Sequence, residues 1–108
     1  MNSVVASVCQ LTRGVRMTEV KEVWIFNGEN AKFPSAVFLS KEDAFEWIRR
    51  YELTGVLTKY PVGISVYDWA IEIGSFRVKS EKHSAPGFIG GFSSAAQEHM
   101  HFENGIFD

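Results

Sequence analysis

The stretch Thr54–Gly74 (TGVLTKYPVGISVYDWAIEIG) most constrains how this chain folds. It begins with residues typical of a strand, passes through a Pro/Gly loop, and continues with apolar residues at helical spacing. Ser65 followed by Asp68 is an S-x-x-D capping pattern, which predicts that a helix begins there. Gly74 is suited to the left-handed conformation that ends a helix. The stretch therefore predicts a strand and a short aromatic helix joined by a tight connection.

A second helix is predicted over Ser40–Tyr51. Ser40 and Asp43 repeat the capping pattern. The apolar residues of one helical face follow at 3.6-residue spacing, and they are Ala44, Phe45, Trp47, Ile48 and Tyr51. The two helices are thus expected over about residues 41–51 and 66–73.

The remaining apolar segments predict strands. These segments are Val20–Asn27, Phe33–Leu39, Leu53–Tyr60, Phe88–Ser94 and Gln97–Asn104. The continuous apolar run Val23–Phe26 predicts a central strand covered on both faces. Gly55 is expected to form a bulge, and Glu81–Gly87 a polar loop.

These elements predict a single α+β domain, with a mostly antiparallel sheet of about four to six strands packed with two helices. A chain of 108 residues is long enough for one compact domain and too short for two. Residues 1–16 are rich in Ser, Val and Thr without clear periodicity, so they are expected to form a weakly ordered leader. Met17 is an alternative start, and residues 17–108 form the predicted domain.

Charge and cysteine content narrow the function classes. The net charge is −2, and no Lys/Arg cluster exceeds Arg49–Arg50, so we expect binding to neither nucleic acid nor a membrane surface. No apolar segment approaches the roughly 20 residues of a membrane-spanning helix. The single cysteine, Cys9, cannot form an internal disulfide, which predicts a reducing, cytoplasmic location.

His99 and His101 form the sharpest local pattern. Residues two apart on a strand point to the same face, so H-x-H presents two imidazoles to one metal ion. Gln97 and Glu103 are expected to share that face. A zinc or iron site needs at least three protein ligands, and the third would be Glu103, His83 or a carboxylate distant in sequence. A solvated or hydrogen-bonded pair and a partner contact are the alternatives.

The sequence contains no complete set of catalytic residues. Three carboxylates are candidates for a general acid or base: Asp68, Glu72 and Glu98. Each would need burial or a nearby like charge to raise its pKa into the useful range. Asp68 is already explained as the capping-box residue of its helix. The serines at 93 and 94 lack the G-x-S-x-G elbow, and the glycines at 87–91 lack the Lys-Ser/Thr of a phosphate loop. We therefore expect no enzyme activity and no cofactor.

Tyrosines near the central loop predict a binding surface instead. Tyr60 and Tyr67 flank the loop after the strand, and tyrosine is enriched among the residues that anchor protein interfaces. The predicted binding residues are Tyr60, Tyr67, Glu72, Glu98, His99, His101 and Glu103.

Four runs of the sequence resemble a family of small uncharacterised bacterial domains. They are VWIFNGENAKFPSAVF, LTGVLTKYP, VYDWAIEIG and FSSAAQEHMHFENG, and together they extend from about Val23 to Gly105. The resemblance implies one domain but no established activity. Small domains of this kind are often encountered beside bacterial toxin genes as immunity proteins, so the resemblance implies an immunity-type role by analogy.

Three functions follow as hypotheses. The first is a non-enzymatic protein-binding module, which as an immunity-type protein would cover the active face of a toxin. The second is a metal-binding protein or metal-dependent enzyme centred on His99 and His101. The third is a homo-oligomer formed by pairing of an exposed strand edge across a two-fold axis.

Overall fold

The computed structural model describes residues 20–107. Within this range there are five strands, three α-helices and one 3-10 helix. In chain order they are β1 (Glu22–Gly28), β2 (Ala36–Phe38), α1 (Lys41–Arg50), β3 (Gly55–Pro61), α2 (Val66–Glu72), the 3-10 helix (Glu81–Ser84), α3 (Pro86–Gly90), β4 (His99–Glu103) and β5 (Ile106–Phe107).

The strands form one antiparallel sheet in the order β2-β1-β3-β4-β5. The longest pairing joins β1 and β3 along seven residue pairs, from Glu22 opposite Pro61 to Gly28 opposite Gly55. The α+β single domain predicted from the sequence is confirmed, including the antiparallel sheet and the two longer helices.

The core lies between α1 and one face of the sheet, which we call the inner face. Alternate residues of β1, β3 and β4 supply its buried side chains, as period-2 alternation requires. Ala44 and Ile48 of α1 lie against them with no exposed surface. The core residues are Trp24, Phe26, Ala44, Ile48, Leu57 and Phe102. The sheet and α1 therefore form the two layers of the main core.

The predicted starts of α1 and α2 and the predicted end of α2 are confirmed. The Ser40 hydroxyl accepts a 3.2 Å hydrogen bond from the backbone N–H of Asp43. The Ser65 hydroxyl accepts one of 3.0 Å from the N–H of Asp68. Gly74 follows α2 with a φ of +83°, a left-handed conformation that glycine adopts without steric cost.

A second aromatic cluster lies in the segment between β3 and β4. The Tyr67 ring of α2 contacts three phenylalanine rings at centroid distances of 5.5–6.3 Å. The members of this cluster are Tyr67, Phe76, His83, Phe88 and Phe92. Aromatic packing of this kind gives the long connection its own small core.

The strand predicted over Phe88–Ser94 is wrong, because α3 occupies Pro86–Gly90. Pro86 stands in the first turn of α3, where its fixed φ and missing N–H favour a helix start. Phe88 in α3 and Phe92 two residues beyond its end both contact Tyr67, so the helix and the turn after it bring their rings to one partner. The loop predicted over Glu81–Gly87 is also partly wrong, since Glu81–Ser84 is the 3-10 helix.

Two details of the predicted strands also differ. Gly55 forms no bulge, because it pairs in register with Gly28 on one side and Phe102 on the other. The strand β1 is not covered on both faces: Trp24 and Phe26 are buried, but Val23 and Ile25 are only half-buried. The face opposite α1 is therefore less protected than the apolar run predicts.

No helix within residues 20–107 has the length and apolar character needed to cross a membrane. The predicted leader, residues 1–16, and the alternative start at Met17 lie outside the described residues.

Candidate functional site

The sheet face opposite α1 carries most of the predicted site residues, and we call it the outer face. Register places Ile25 beside Val37 and Thr58, and Thr58 beside His99, so these side chains share one face. The outer-face residues are Val23, Ile25, Asn27, Val37, Val56, Thr58, Tyr60, His99, His101, Glu103 and Ile106. None of them is buried, whereas all the buried strand residues belong to the inner face.

His99 and His101 are brought together on this face, as H-x-H on a strand requires. Their ring centroids lie 5.7 Å apart with the ring planes at 81°. Both side chains are exposed. Glu103 follows on the same face and is also exposed.

The His99 ring is oriented by the backbone. Its Nδ1 lies 2.7 Å from the carbonyl oxygen of Gln97. A carbonyl oxygen only accepts hydrogen bonds, so Nδ1 carries the proton and donates it. In the neutral imidazole the lone pair is then on Nε2, which is free to accept a proton or bind a ligand.

Gln97 does not share the outer face with the histidines. It precedes β4 and is 3% exposed. Its side-chain amide donates to the carbonyl oxygen of Lys59 at 3.1 Å and accepts from the N–H of Ser94 at 3.1 Å. Because both ends of this amide are paired, Gln97 fixes the path of the chain into β4 and, through its carbonyl, the ring of His99.

A cluster of four charges lies on the other side of the sheet. Glu98 lies 3.3 Å from the Nζ of Lys59 and 3.4 Å from the Nζ of Lys41. Lys59 also lies 3.6 Å from Glu22. Both ammonium groups stand over the ring of Trp24, at 5.5 Å for Lys41 and 5.9 Å for Lys59. The cluster thus joins the start of α1 to β1, β3 and the residue that precedes β4.

This cluster changes the acidity of Glu98. The hydrogen bond from Lys59 and the positive charge of Lys41 hold the pKa of Glu98 below its ordinary value of 4.5, against a partial desolvation that raises it. Glu98 is therefore an ionised partner of two lysines and a poor general acid. Its partners lie 39 and 57 residues away in sequence, so no local pattern could have identified them.

A cleft of about 730 Å³ opens beside the charged cluster. Trp69 and Glu72 of α2 form one side, and Glu22, Lys59 and Glu98 line the other. Glu72 is therefore in the cleft with Glu98 and away from the histidine pair. Two of the predicted acidic binding residues face this cleft, and the third, Glu103, is on the outer face.

The two predicted tyrosines are separated. Tyr60 is half-buried on the outer face, beside Val23. Tyr67 is 8% exposed, and its hydroxyl donates a 2.8 Å hydrogen bond to the carbonyl oxygen of His83. Tyr67 is therefore part of the aromatic cluster and is not available to a partner.

The third ligand expected for a zinc or iron site is not in place. Within residues 20–107, no three side chains of His, Cys, Asp or Glu converge on a point where they would hold an ion. His83 stacks on Phe88 at a centroid distance of 5.0 Å, and its Nδ1 accepts a hydrogen bond from the N–H of Lys79. That ring is thus occupied in the aromatic cluster.

Comparison with known proteins matches residues 23–108 to a family described as "Domain of unknown function (DUF7710)". The chain belongs to this family. The match covers all the helices described above and the whole sheet except the first residue of β1, so the family domain is the α+β unit. No curated protein and no solved structure matches the chain. The resemblance to a family of uncharacterised domains is confirmed, and the family itself assigns no activity to the outer face or the cleft.

Proposed function

We propose that this domain is a non-enzymatic protein-binding module that binds its partner through the outer face of the sheet. The run Val23–Phe26 carries the proposal. Consecutive apolar residues are characteristic of a strand buried on both faces, yet α1 covers only the face of Trp24 and Phe26. Val23 and Ile25 keep accessible apolar surface that a partner protein would bury.

Further apolar residues extend this surface across the sheet. Val37 on β2 is 62% exposed and Ile106 on β5 is 70% exposed, at opposite edges of the same face. Isolated exposed apolar residues are ordinary on protein surfaces. Here Val37 pairs directly with half-buried Ile25, while Ile106 pairs with Glu103 at the other edge. Half-buried Val56 and Tyr60 lie on the central strand β3, and Tyr60 adds an aromatic ring with a polar end. The face therefore has the apolar centre and mixed rim of a protein interface.

The charges of the outer face indicate the chemistry of the partner. The described strand residues of this face carry one carboxylate, that of Glu103. None of these strand residues is a Lys or an Arg. The chain as a whole carries a net charge of −2. A partner with an apolar centre and a Lys or Arg opposite Glu103 would be complementary, and attraction of opposite charge would speed its association.

The specific form of this proposal is an immunity-type role in a bacterial cytoplasm, with the domain covering the active face of a basic toxin. The single cysteine supports a reducing compartment. Glu72 and Glu98, which line the cleft, and Tyr67, which is buried, are not part of the proposed surface.

Site-specific photo-crosslinking in the host cell tests the proposal. A photoreactive amino acid is placed at Val37 or Ile106 on the outer face, or at Val78 or Ile73 as matched control positions. The controls are 48% and 52% exposed and lie outside the sheet, so they sample another surface at similar accessibility. We expect one discrete adduct with a second protein from both outer-face positions and none from the controls.

Binding measurements with the captured protein complete the test. Val37→Lys should weaken its affinity at least tenfold, about 1.4 kcal/mol, while Val78→Lys should leave it unchanged. No adduct from the outer face, equal adducts from all four positions, or adducts only between copies of this chain would refute the proposal. The last result would support the homo-oligomer instead.

The alternative function is a small metal-binding protein or metal-dependent enzyme using His99 and His101, with Glu103 as the further candidate ligand. The pairing of the two histidines on one face supports it. It has less support than the binding module, because residues 20–107 supply no convergent third ligand.

A further inference from the structure

We infer that His99 and His101 form a two-histidine chelate for a divalent transition-metal ion on the outer face of the sheet. The inference makes the metal-binding alternative specific, and it does not depend on the proposed protein-binding function. It concerns a binding site without catalytic chemistry, in which water fills the remaining coordination positions. Neutral imidazole is a common ligand for copper, nickel and zinc ions.

The spacing of the two rings fits a shared ion. With bonds of about 2.0–2.1 Å and a tetrahedral angle, two imidazoles on one ion place their ring centroids about 5 Å apart. The observed separation is 5.7 Å. Both side chains are exposed, so we expect a small rotation of the His101 side chain to bring the rings to that separation.

The orientation of His99 is the second observation that points to a metal. Its Nδ1–H donates to the carbonyl oxygen of Gln97 at 2.7 Å, which leaves the Nε2 lone pair for an ion. Histidine ligands in metal sites characteristically donate their other ring N–H to a carbonyl or carboxylate, which fixes the tautomer. The chain supplies this support before any ion binds.

The support for His99 is itself rigid. Gln97 is 3% exposed, and its side-chain amide is held by Lys59 and Ser94. The backbone N–H of Lys59 donates a 2.9 Å hydrogen bond to the carbonyl oxygen of Glu98, the residue between Gln97 and His99. One of the two ligands is therefore preorganised, which reduces the entropy lost when the ion binds.

The expected metal preference follows from the donor set. Two imidazoles and water favour Cu²⁺ over Ni²⁺ and Zn²⁺, in the general order of divalent ions at nitrogen sites. The hard ions Mg²⁺ and Ca²⁺ prefer oxygen ligands and should not bind the pair.

Cu²⁺ titration of the full chain, followed by calorimetry and electron paramagnetic resonance, tests the inference. All variants carry Cys9→Ser, so that the single thiol does not compete for copper or become oxidised by it. We expect one Cu²⁺ per chain with two histidine nitrogens in its spectrum. His99→Ala or His101→Ala should weaken this binding at least about tenfold, since changes to outer-shell partners alone cost 10- to 100-fold.

His83→Ala is the matched control, because it removes a histidine from the chain but lies outside the outer face. It should leave the two-nitrogen site intact, provided that circular dichroism shows the fold is retained. Paramagnetic broadening of the His99 and His101 ring protons by Cu²⁺ gives a readout on the unmutated histidine pair. Absence of that broadening, or unchanged Cu²⁺ affinity after His99→Ala and His101→Ala together, would overturn the inference.

Discussion

Gly55 lies directly against the ring of Phe26. A Cβ atom on Gly55 would stand 2.7 Å from the Cζ of Phe26 and 2.9 Å from the Cα of Gly28, and it would also collide with the carbonyl oxygen of Asn27. Two of these obstacles are backbone atoms of β1, and β1 is paired with β3 along its length. The space at Gly55 therefore cannot open without separating the two longest strands.

The first prediction follows from this contact. Gly55→Ala should lower the free energy of unfolding by about 3 kcal/mol, in the upper part of the range for overpacking. Urea denaturation monitored by tryptophan fluorescence would measure it. Gly90→Ala is the control, because a Cβ at Gly90 meets no atom within 4 Å and should cause no loss. Equal stabilities of Gly55→Ala and the native chain would contradict the packing of β1 on β3.

The second prediction concerns the pH dependence of stability. Since the pKa of Glu98 is lower in the folded state, its ion pairs stabilise the fold above the ordinary pKa of 4.5. That stabilisation is lost as the pH falls from 4.5 through the folded-state pKa. Glu98→Gln should therefore lower the urea midpoint at pH 7, and the difference from the native chain should shrink at acidic pH.

The control for this prediction is Glu46→Gln on the exposed side of α1. Within residues 20–107, Glu46 forms no ion pair in the structure, so its replacement should change the urea midpoint much less at pH 7. A Glu98→Gln difference that stays constant between pH 7 and pH 3 would show that its carboxylate charge does not stabilise the fold.

The third prediction tests the cap of α2. Ser65→Ala removes the hydroxyl that accepts a hydrogen bond from the N–H of Asp68, and should destabilise the chain by about 1 kcal/mol. Ser80 precedes the 3-10 helix but makes no side-chain cap bond, so Ser80→Ala should have little effect. Thermal or urea unfolding of the two variants compares them directly. A larger loss from Ser80→Ala would contradict the capping role assigned to Ser65.

The fourth prediction concerns the aromatic cluster. Tyr67→Phe keeps the ring but removes the hydroxyl that donates to the carbonyl oxygen of His83. We expect a loss of about 1 kcal/mol in unfolding free energy, together with faster hydrogen exchange in residues 81–84. Tyr51→Phe, at an exposed position, is the control. Unchanged exchange in the 3-10 helix would mean that this bond does not hold it to α2.

Some features were predictable from short sequence patterns because their physics is local. The caps of α1 and α2 each join residues three apart, Ser40 to Asp43 and Ser65 to Asp68. The left-handed turn at Gly74 depends only on the missing Cβ of glycine. The pairing of His99 and His101 on one face likewise follows from the two-residue period of a strand.

Other features depended on residues far apart in the chain. The segment FIGGFSS has the composition of a strand, but Phe88 lies in α3 and Phe92 just after it, and both rings contact Tyr67. Glu98 belongs to an ion-pair cluster because folding brings Lys41 and Lys59 to it. Gln97 is buried because its amide finds partners at Lys59 and Ser94.

The amino-acid sequence by itself determined the α+β class, the boundaries of α1 and α2 and the shared face of the two histidines, since each is encoded by patterns within a few residues. Only the tertiary structure decided which alternate side chains of the run Val23–Phe26 are covered. It also decided that the outer face keeps accessible apolar surface. Those outcomes depend on where α1 lies against the sheet, which is set by burial of side chains between distant segments.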